Sequence, residues 1–298
     1  MRLHDRGEIL AIEPETYRRW VELIALHEAT DPNAPEAAAK LVPGRKSVGD
    51  IAVIRLGGFI TQKPNLFSIL FGGTSAEGLA REVTAAMREP SIGAVVLDVD
   101  SPGGSVFGVP EAANAIRATR GAKPLVAVAN PLMASAAYHL ASQADEVVAA
   151  PSSFVGSIGV IAVHVDESGL IEQMGLKVTE LTYGRRKGEE SSLRPLSDEA
   201  RAGIQGRIDY FGRLFEADVA KGRRTSVEAV RSRFGEGSMF VATSAKEAGL
   251  VDRLGTMDEV LSELARGKRP QSMRAYDPGA LRAHAILNDV ELEDEKGA

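Results

Sequence analysis

The chain contains no cysteine. That excludes a disulfide framework, a thiolate metal site and a cysteine nucleophile together. Histidine is sparse: His4, His27, His139, His164 and His284 are scattered, and no pair shows the close helical spacing of a zinc-protease motif. Aromatic residues make up only 5% of the chain, which suits an α/β fold packed by small residues better than an aromatic-rich sandwich. No apolar stretch approaches the roughly 20 residues needed to span a bilayer. The opening residues MRLHDRGEILAIEPETYRRW lack the apolar core of a signal peptide. No membrane anchor is expected, and a cytoplasmic location is. Positive charge is not in excess either: the net charge of −6 argues against a nucleic-acid partner.

What the chain does have is length for a real core, with 298 residues of which 44% are hydrophobic, and an ample supply of 30 glycines. Near the start, Trp20, Leu23, Ile24 and His27 recur at helical spacing, so Glu15–His27 reads as a short helix. The Pro- and Ala-containing stretch Ala29–Ser47 reads as an arm. Residues 1–48 are therefore set apart from a main domain at 49–266. Within that domain Ile51–Leu56, Ala94–Val99 and Pro124–Ala129 are strand candidates, the last two apolar on both faces as in a covered parallel sheet. Glu146–Ala149, Val155–Val163 and Lys177–Thr182 read as further strands. Helices are expected at Ser75–Met87, Pro110–Thr119, Ala134–Gln143, Asp166–Met174, Leu196–Lys221 (opened by Ser197), Ser226–Phe234, Thr243–Ala248 and Met257–Ala265. Strands alternating with helices imply an α/β fold with a mostly parallel sheet built from βαβ units. From Gly267 the chain turns polar, and 267–298 is expected to be a disordered tail.

Four short motifs lie at the ends of these elements. Asp98–Ser105 contains Ser101-Pro102-Gly103-Gly104, whose glycines allow a sharp turn and expose backbone amides that could stabilise an oxyanion; an ordinary strand-to-helix turn would look the same. Pro131–Tyr138 places Ser135 between a buried strand and a helix of small residues, either as a helix cap or as a hydroxyl at the mouth of a cleft. Gly156-Ser157-Ile158-Gly159-Val160 interrupts a strand with glycine, a sign of close approach or of a bulge. Tyr183-Gly184-Arg185-Arg186-Lys187-Gly188 is a basic loop. Lys187 is a base there only if burial or the charge of Arg185 and Arg186 favours its neutral amine.

Taken in order, SPGG, ASAAY, GSIGV and YGRRKG in a chain without cysteine resemble the signal peptide peptidase A family of serine peptidases, from about Ile51 to Leu264. The resemblance implies a fold like that of crotonase and the Clp protease subunit. It also implies a serine–lysine dyad: Ser135 as nucleophile forming an acyl-enzyme, and Lys187 as general base, in the same chain or from a neighbouring subunit. The amides of Gly103, Gly104 and Ala136 would form the oxyanion hole, Ser157 would steady the lysine amine, and neither metal nor nucleotide cofactor is needed. Bacterial membrane-bound members usually carry two glycines where this chain has Ala136-Ala137. The alanines and the N-terminal segment look more like the bacteriophage, prohead-protease branch. Its substrates are polypeptides, with scaffold, portal or capsid proteins as candidate partners. Self-association into a homo-oligomer is expected from the apolar run Leu66–Phe71. Alternatives are a host cytoplasmic protease of the same family, a crotonase-type acyl-CoA enzyme and an inactive structural head protein. His139 and His164 are the rival bases, read as core or surface residues instead.

Overall fold

The computed structural model describes residues 10–12, 45–64 and 72–274. The expected helix Glu15–His27, most of the arm and the loop Leu66–Phe71 lie outside the described residues. In chain order the strands are β1 (Leu10–Ile12), β2 (Lys46–Val48), β3 (Ile51–Thr61), β4 (Thr74–Ser75), β5 (Ala94–Ser105), β6 (Leu125–Ala134), β7 (Glu146–Ala149), β8 (Phe154–Gly156), β9 (Met239–Val241) and β10 (Arg253–Leu254). The helices are α1 (Ala76–Arg88), α2 (Val109–Arg117), α3 (Ala136–Ala141), α4 (Ser168–Gln173), α5 (Asp198–Arg223), α6 (Val227–Arg233), α7 (Ala242–Ala248), α8 (Met257–Ala265) and α9 (Gln271–Arg274).

The covered apolar runs form the centre of one sheet, ordered β10-β7-β6-β5-β3-β2 and parallel except where β2 folds back on β3. Successive side chains of a strand point to opposite faces, and β5 shows the result. Val95, Leu97 and Val99 pack with Leu79 and Val83 of α1, Ile116 of α2 and Tyr138 and Leu140 of α3. Ala94 and Val96 face the other way, onto Val260 of α8. Both faces of the sheet are thus dry, as its composition requires, and the α/β class with a mostly parallel sheet stands.

Helix starts follow the local chemistry. The Ser75 hydroxyl accepts from the Gly78 amide at the start of α1, and the Ser197 hydroxyl accepts from the Ala200 amide at the start of α5, where the sequence placed the cap. Thr256 and Glu259 close a reciprocal capping box on α8. At the other end of α3, the Arg120 guanidinium donates to the carbonyls of Gln143 (2.7 Å), Ala144 (2.6 Å) and Gly222 (2.8 Å). One cation therefore ties the C-terminal ends of α3 and α5 together, where helix dipoles favour positive charge.

Two expected strands are corrected. The strand expected at Val155–Val163 ends at Gly156, and Lys177–Thr182 is not a strand. A strand needs a neighbour with free N–H and C=O groups. β8 already has β6 on one edge and β9 on the other. From Ser157 to Ser197 regular structure is limited to a single bridge at Ile161 and the short α4. Apolar side chains there point outward, with Leu181 at 90% and Tyr183 at 100% exposure. At the C-terminal end, residues expected to begin a loose tail are docked: Pro270 is buried and the Ser272 hydroxyl donates to the Asp145 carbonyl at 2.5 Å. Residues 275–298 lie outside the described residues.

Candidate active site

Ser135 is the single residue between the end of β6 and the start of α3. Its backbone is at φ 53°, ψ −120°, a region that residues other than glycine rarely enter. Such a conformation costs about 1–3 kcal/mol and persists only where the surroundings over-determine it. They do so here: the Ser135 amide donates to the Gly156 carbonyl at 2.8 Å, and the Ser135 carbonyl accepts from the His139 amide at 2.9 Å. The residue has no exposed surface. Its hydroxyl makes no cap to α3 and finds no hydrogen-bond partner among the described residues. The reading of Ser135 as a helix cap is thereby corrected. A strained backbone and an orphaned buried hydroxyl in one residue are both unfavourable for stability, a combination typical of functional sites.

Gly103 and Gly104, expected at a sharp turn, are not a turn: they continue β5, which runs on to Ser105. β5 and β6 run in parallel as far as Ser101 opposite Met133, two residues before the chain leaves the sheet at Ser135, so Gly103 and Ser135 follow the same end of this parallel pair. Gly104 has room for no side chain, because a Cβ there would sit 2.1 Å from the Ile60 carbonyl oxygen. The expected oxyanion amides differ in availability. The Gly103 amide donates to Ser101 Oγ at 3.2 Å, and that hydroxyl donates onward to the Gly58 carbonyl at 2.6 Å. Ala136 is the first residue of α3, and amides of a helix's first turn have no acceptor within the helix. Ser157 directly follows Gly156, is buried, and also has positive φ (55°), its amide donating to the Ser238 carbonyl at 2.8 Å. A Cβ at Gly156 would meet that same carbonyl at 2.5 Å, which answers why a glycine interrupts the strand. Ser135, Gly103, Gly104, Ala136 and Ser157 are therefore gathered at one end of the sheet.

Lys187 is exposed in the basic loop, and among the described residues the Ser135 hydroxyl has no hydrogen-bond partner, Lys187 included. With His164, Glu180, Glu189 and Arg207 it lines a cavity of about 560 Å³ between the 158–197 segment and α5, and Ser135 is not part of that lining. The two arginines expected to repel a proton from Lys187 are each paired with a carboxylate, Arg185 with Glu199 (2.8 Å) and Arg186 with Glu189 (2.6 Å).

His139, one turn after Ser135, is a buried structural residue. Its ring stacks on Phe215 with centroids 4.5 Å apart, and its Nε2 lies 3.1 Å from Asp218 Oδ2. Asp218 comes from α5 and also faces Arg117 and Lys221; nothing in its local sequence marks it. Burial lowers the His139 pKa below its ordinary value, against the pull of Asp218. Burial by itself would raise the Asp218 carboxyl, but the hydrogen bond from His139 and the surrounding positive charge hold it low. The unfolded chain takes up a proton on this histidine near pH 6.5 while the folded chain resists it. Stability should thus be full above that value and decline on acidification, with Asp218 adding its loss only near pH 4 and below. The melting temperature is expected to fall by several degrees between pH 7.5 and 5.5, and less so in His139→Gln, which keeps an N–H donor for Asp218. A wild-type melting temperature that is flat across this range would contradict the assignment.

Comparison with known proteins adds three findings. The profile of peptidase family S49 matches residues 117–270, more than half of the chain. Among curated proteins the chain is similar to the head-tail preconnector protein GP5 of Enterobacteria phage P21, at 30% identity over 84% of this chain and 51% of that one. It is also similar to the capsid assembly protease C of Escherichia phage lambda, at 27% identity over 80% of this chain and 57% of that one. The chain spans about half the length of these relatives. Among solved structures, an enoyl-CoA hydratase from Shewanella pealeana is similar with a TM-score of 0.47 and 9% identity, covering 87% of this chain and 91% of the other.

Proposed function

The chain belongs to peptidase family S49, and we propose that it is a serine endopeptidase acting through an acyl-enzyme at Ser135. The observation that carries this reading is the Ser135 backbone, forced to positive φ at a strand-to-helix junction with its hydroxyl unpaired. In the proposed reaction the neutral amine of Lys187 takes the Ser135 proton, and Oγ attacks a peptide carbonyl. The amides of Ala136 and of Gly103 or Gly104 receive the oxyanion; Gly103 serves once its amide leaves Ser101. Lys187 returns the proton to the departing amine, and water then hydrolyses the acyl-enzyme. Ser157 steadies the lysine amine.

Lys187 reaches Ser135 from a neighbouring copy of the chain. Its exposure, and the outward apolar side chains of Val178, Leu181 and Tyr183 around it, support this reading, since exposed apolar patches mark interaction surfaces. The substrates are proteins of a phage or prophage head, among them scaffold, portal or capsid proteins, cut in the host cytoplasm. The names of the two phage relatives support that choice. Among the described residues no helix is long and apolar enough to cross a membrane. Co-expression with the products of neighbouring genes, followed by mass spectrometry, should reveal fragments that vanish when Ser135 is replaced. Full-length products throughout, together with no labelling of Ser135 by a serine-directed phosphonate, would overturn the proposal.

A further inference from the structure

Each strand has two edges, and along Gly103 and Gly104 both edges of β5 are occupied. Phe59 and Ile60 of β3 lie along Gly103 and Gly104 in parallel register. On the other edge β6 accompanies β5 only as far as the Ser101–Met133 pair, because at Ser135 the chain leaves the sheet to begin α3. The edge beyond is filled by β1, running antiparallel with Ile12 opposite Gly103, Ala11 opposite Gly104 and Leu10 opposite Ser105. Three residues from the far N-terminal end of the chain are thus set on the stretch of strand edge that opens beside Ser135.

An open strand edge offers a row of backbone N–H and C=O groups to which an extended peptide adds. A polypeptide whose carbonyl is to meet Ser135 has to lie along this edge. We infer that β1 holds the place of the substrate strand, so that the chain's own N-terminal segment is an autoinhibitory strand that substrate must displace. The inference rests on the proposed role of Ser135. A second observation agrees with it: Ser135 has no exposed surface and its hydroxyl finds no partner among the described residues, so a peptide reaches it only after covering chain is displaced. Displacement is within reach, because a ladder of three residues is short against an ordinary strand of about 5–6. As a tethered competitor, β1 acts at an effective concentration of roughly millimolar order, which lowers the apparent affinity of any peptide entering in trans.

The absence of cysteine makes the test direct. Directly opposed residues of an antiparallel pair have Cα atoms about 4.5–5.5 Å apart, within disulfide range. Full-length protein carrying Ser135→Ala, Leu10→Cys and Ser105→Cys is oxidised, and binding of a fluorescein-labelled peptide copying residues 6–16 is followed by anisotropy. The oxidised protein should bind at least tenfold more weakly than the same sample after reduction. In a second series without added cysteine, Leu10→Pro and Ala11→Pro are compared, since one of two successive residues directs its N–H at β5. At least one of them should bind the peptide about tenfold more tightly than the parent. Failure of the disulfide to form, or equal binding by oxidised and reduced protein, overturns the inference. Binding is read without cleavage, so redox-dependent binding in a chain whose Ser135-intact form cuts nothing would refute the protease reading alone. Undiminished cutting by a crosslinked, Ser135-intact chain would refute the inhibitory strand alone.

Discussion

Purified Ser135→Ala protein is expected to lose peptide cleavage by roughly 10⁴- to 10⁶-fold, the scale on which removal of a covalent nucleophile acts, while keeping its fold. The hydroxyl is buried and unpaired, so its removal leaves no partner unsatisfied. Thermal unfolding of the variant should match or exceed that of the parent. The substitution thereby separates chemistry from stability: activity and phosphonate labelling disappear while the melting temperature holds. Normal cleavage by a purified, folded Ser135→Ala protein would remove Ser135 from the mechanism.

The second large effect concerns the base. Lys187→Ala and Lys187→Arg should be comparably inactive, because a guanidinium stays protonated in proteins and accepts no proton. Mixing tells more than either variant alone. If each lysine serves the serine of the next copy, Ser135→Ala subunits still carry an intact Lys187 for Lys187→Ala subunits that still carry Ser135. Co-assembled in equal amounts, the two dead proteins should recover activity at about a quarter of the sites, the statistical share in a head-to-tail assembly. Mixtures as inactive as their components would confine the lysine to its own chain. Full activity in Lys187→Arg would discard it altogether.

The parts of this molecule that could be read from its sequence are those whose signal is local. Pro124–Ala129 is apolar at every position and Ala94–Val99 at every position but Asp98, as a strand covered on both faces requires, and both became central strands of the sheet. Ser197 announced α5 by capping chemistry alone. The segment Lys177–Thr182 carries β-favouring Val178, Thr179 and Thr182, but propensity supplies no neighbour, and among the described residues no strand pairs with it. β1 is three residues long and has no periodicity to detect; its place is set by an edge that exists only once β6 turns into α3. Asp218 was invisible as the partner of His139 because the two are 79 residues apart and meet only through the packing of α3 on α5. At the site itself the order of motifs singled out Ser135, whereas the capture of the Gly103 amide by Ser101 depends on the local course of β5, which no spacing encodes.

The backbone of Ser135 has a consequence for lineages that stop using the site. Any L-residue placed there inherits the positive φ, so replacement by alanine or threonine keeps the strain; only glycine is at ease in it. Glycine would also delete the orphaned hydroxyl, and against these gains stands its larger unfolded-state entropy, about 0.4–1 kcal/mol. The balance favours glycine by about 1 kcal/mol, given the usual cost of such strain. On the proposed role of Ser135, selection for activity holds serine in place against that gradient. Once the selection lapses, drift at this position runs downhill to glycine, so a related chain that reads Ala-Gly-Ala where this one reads Ala134-Ser135-Ala136 has relaxed into a scaffold.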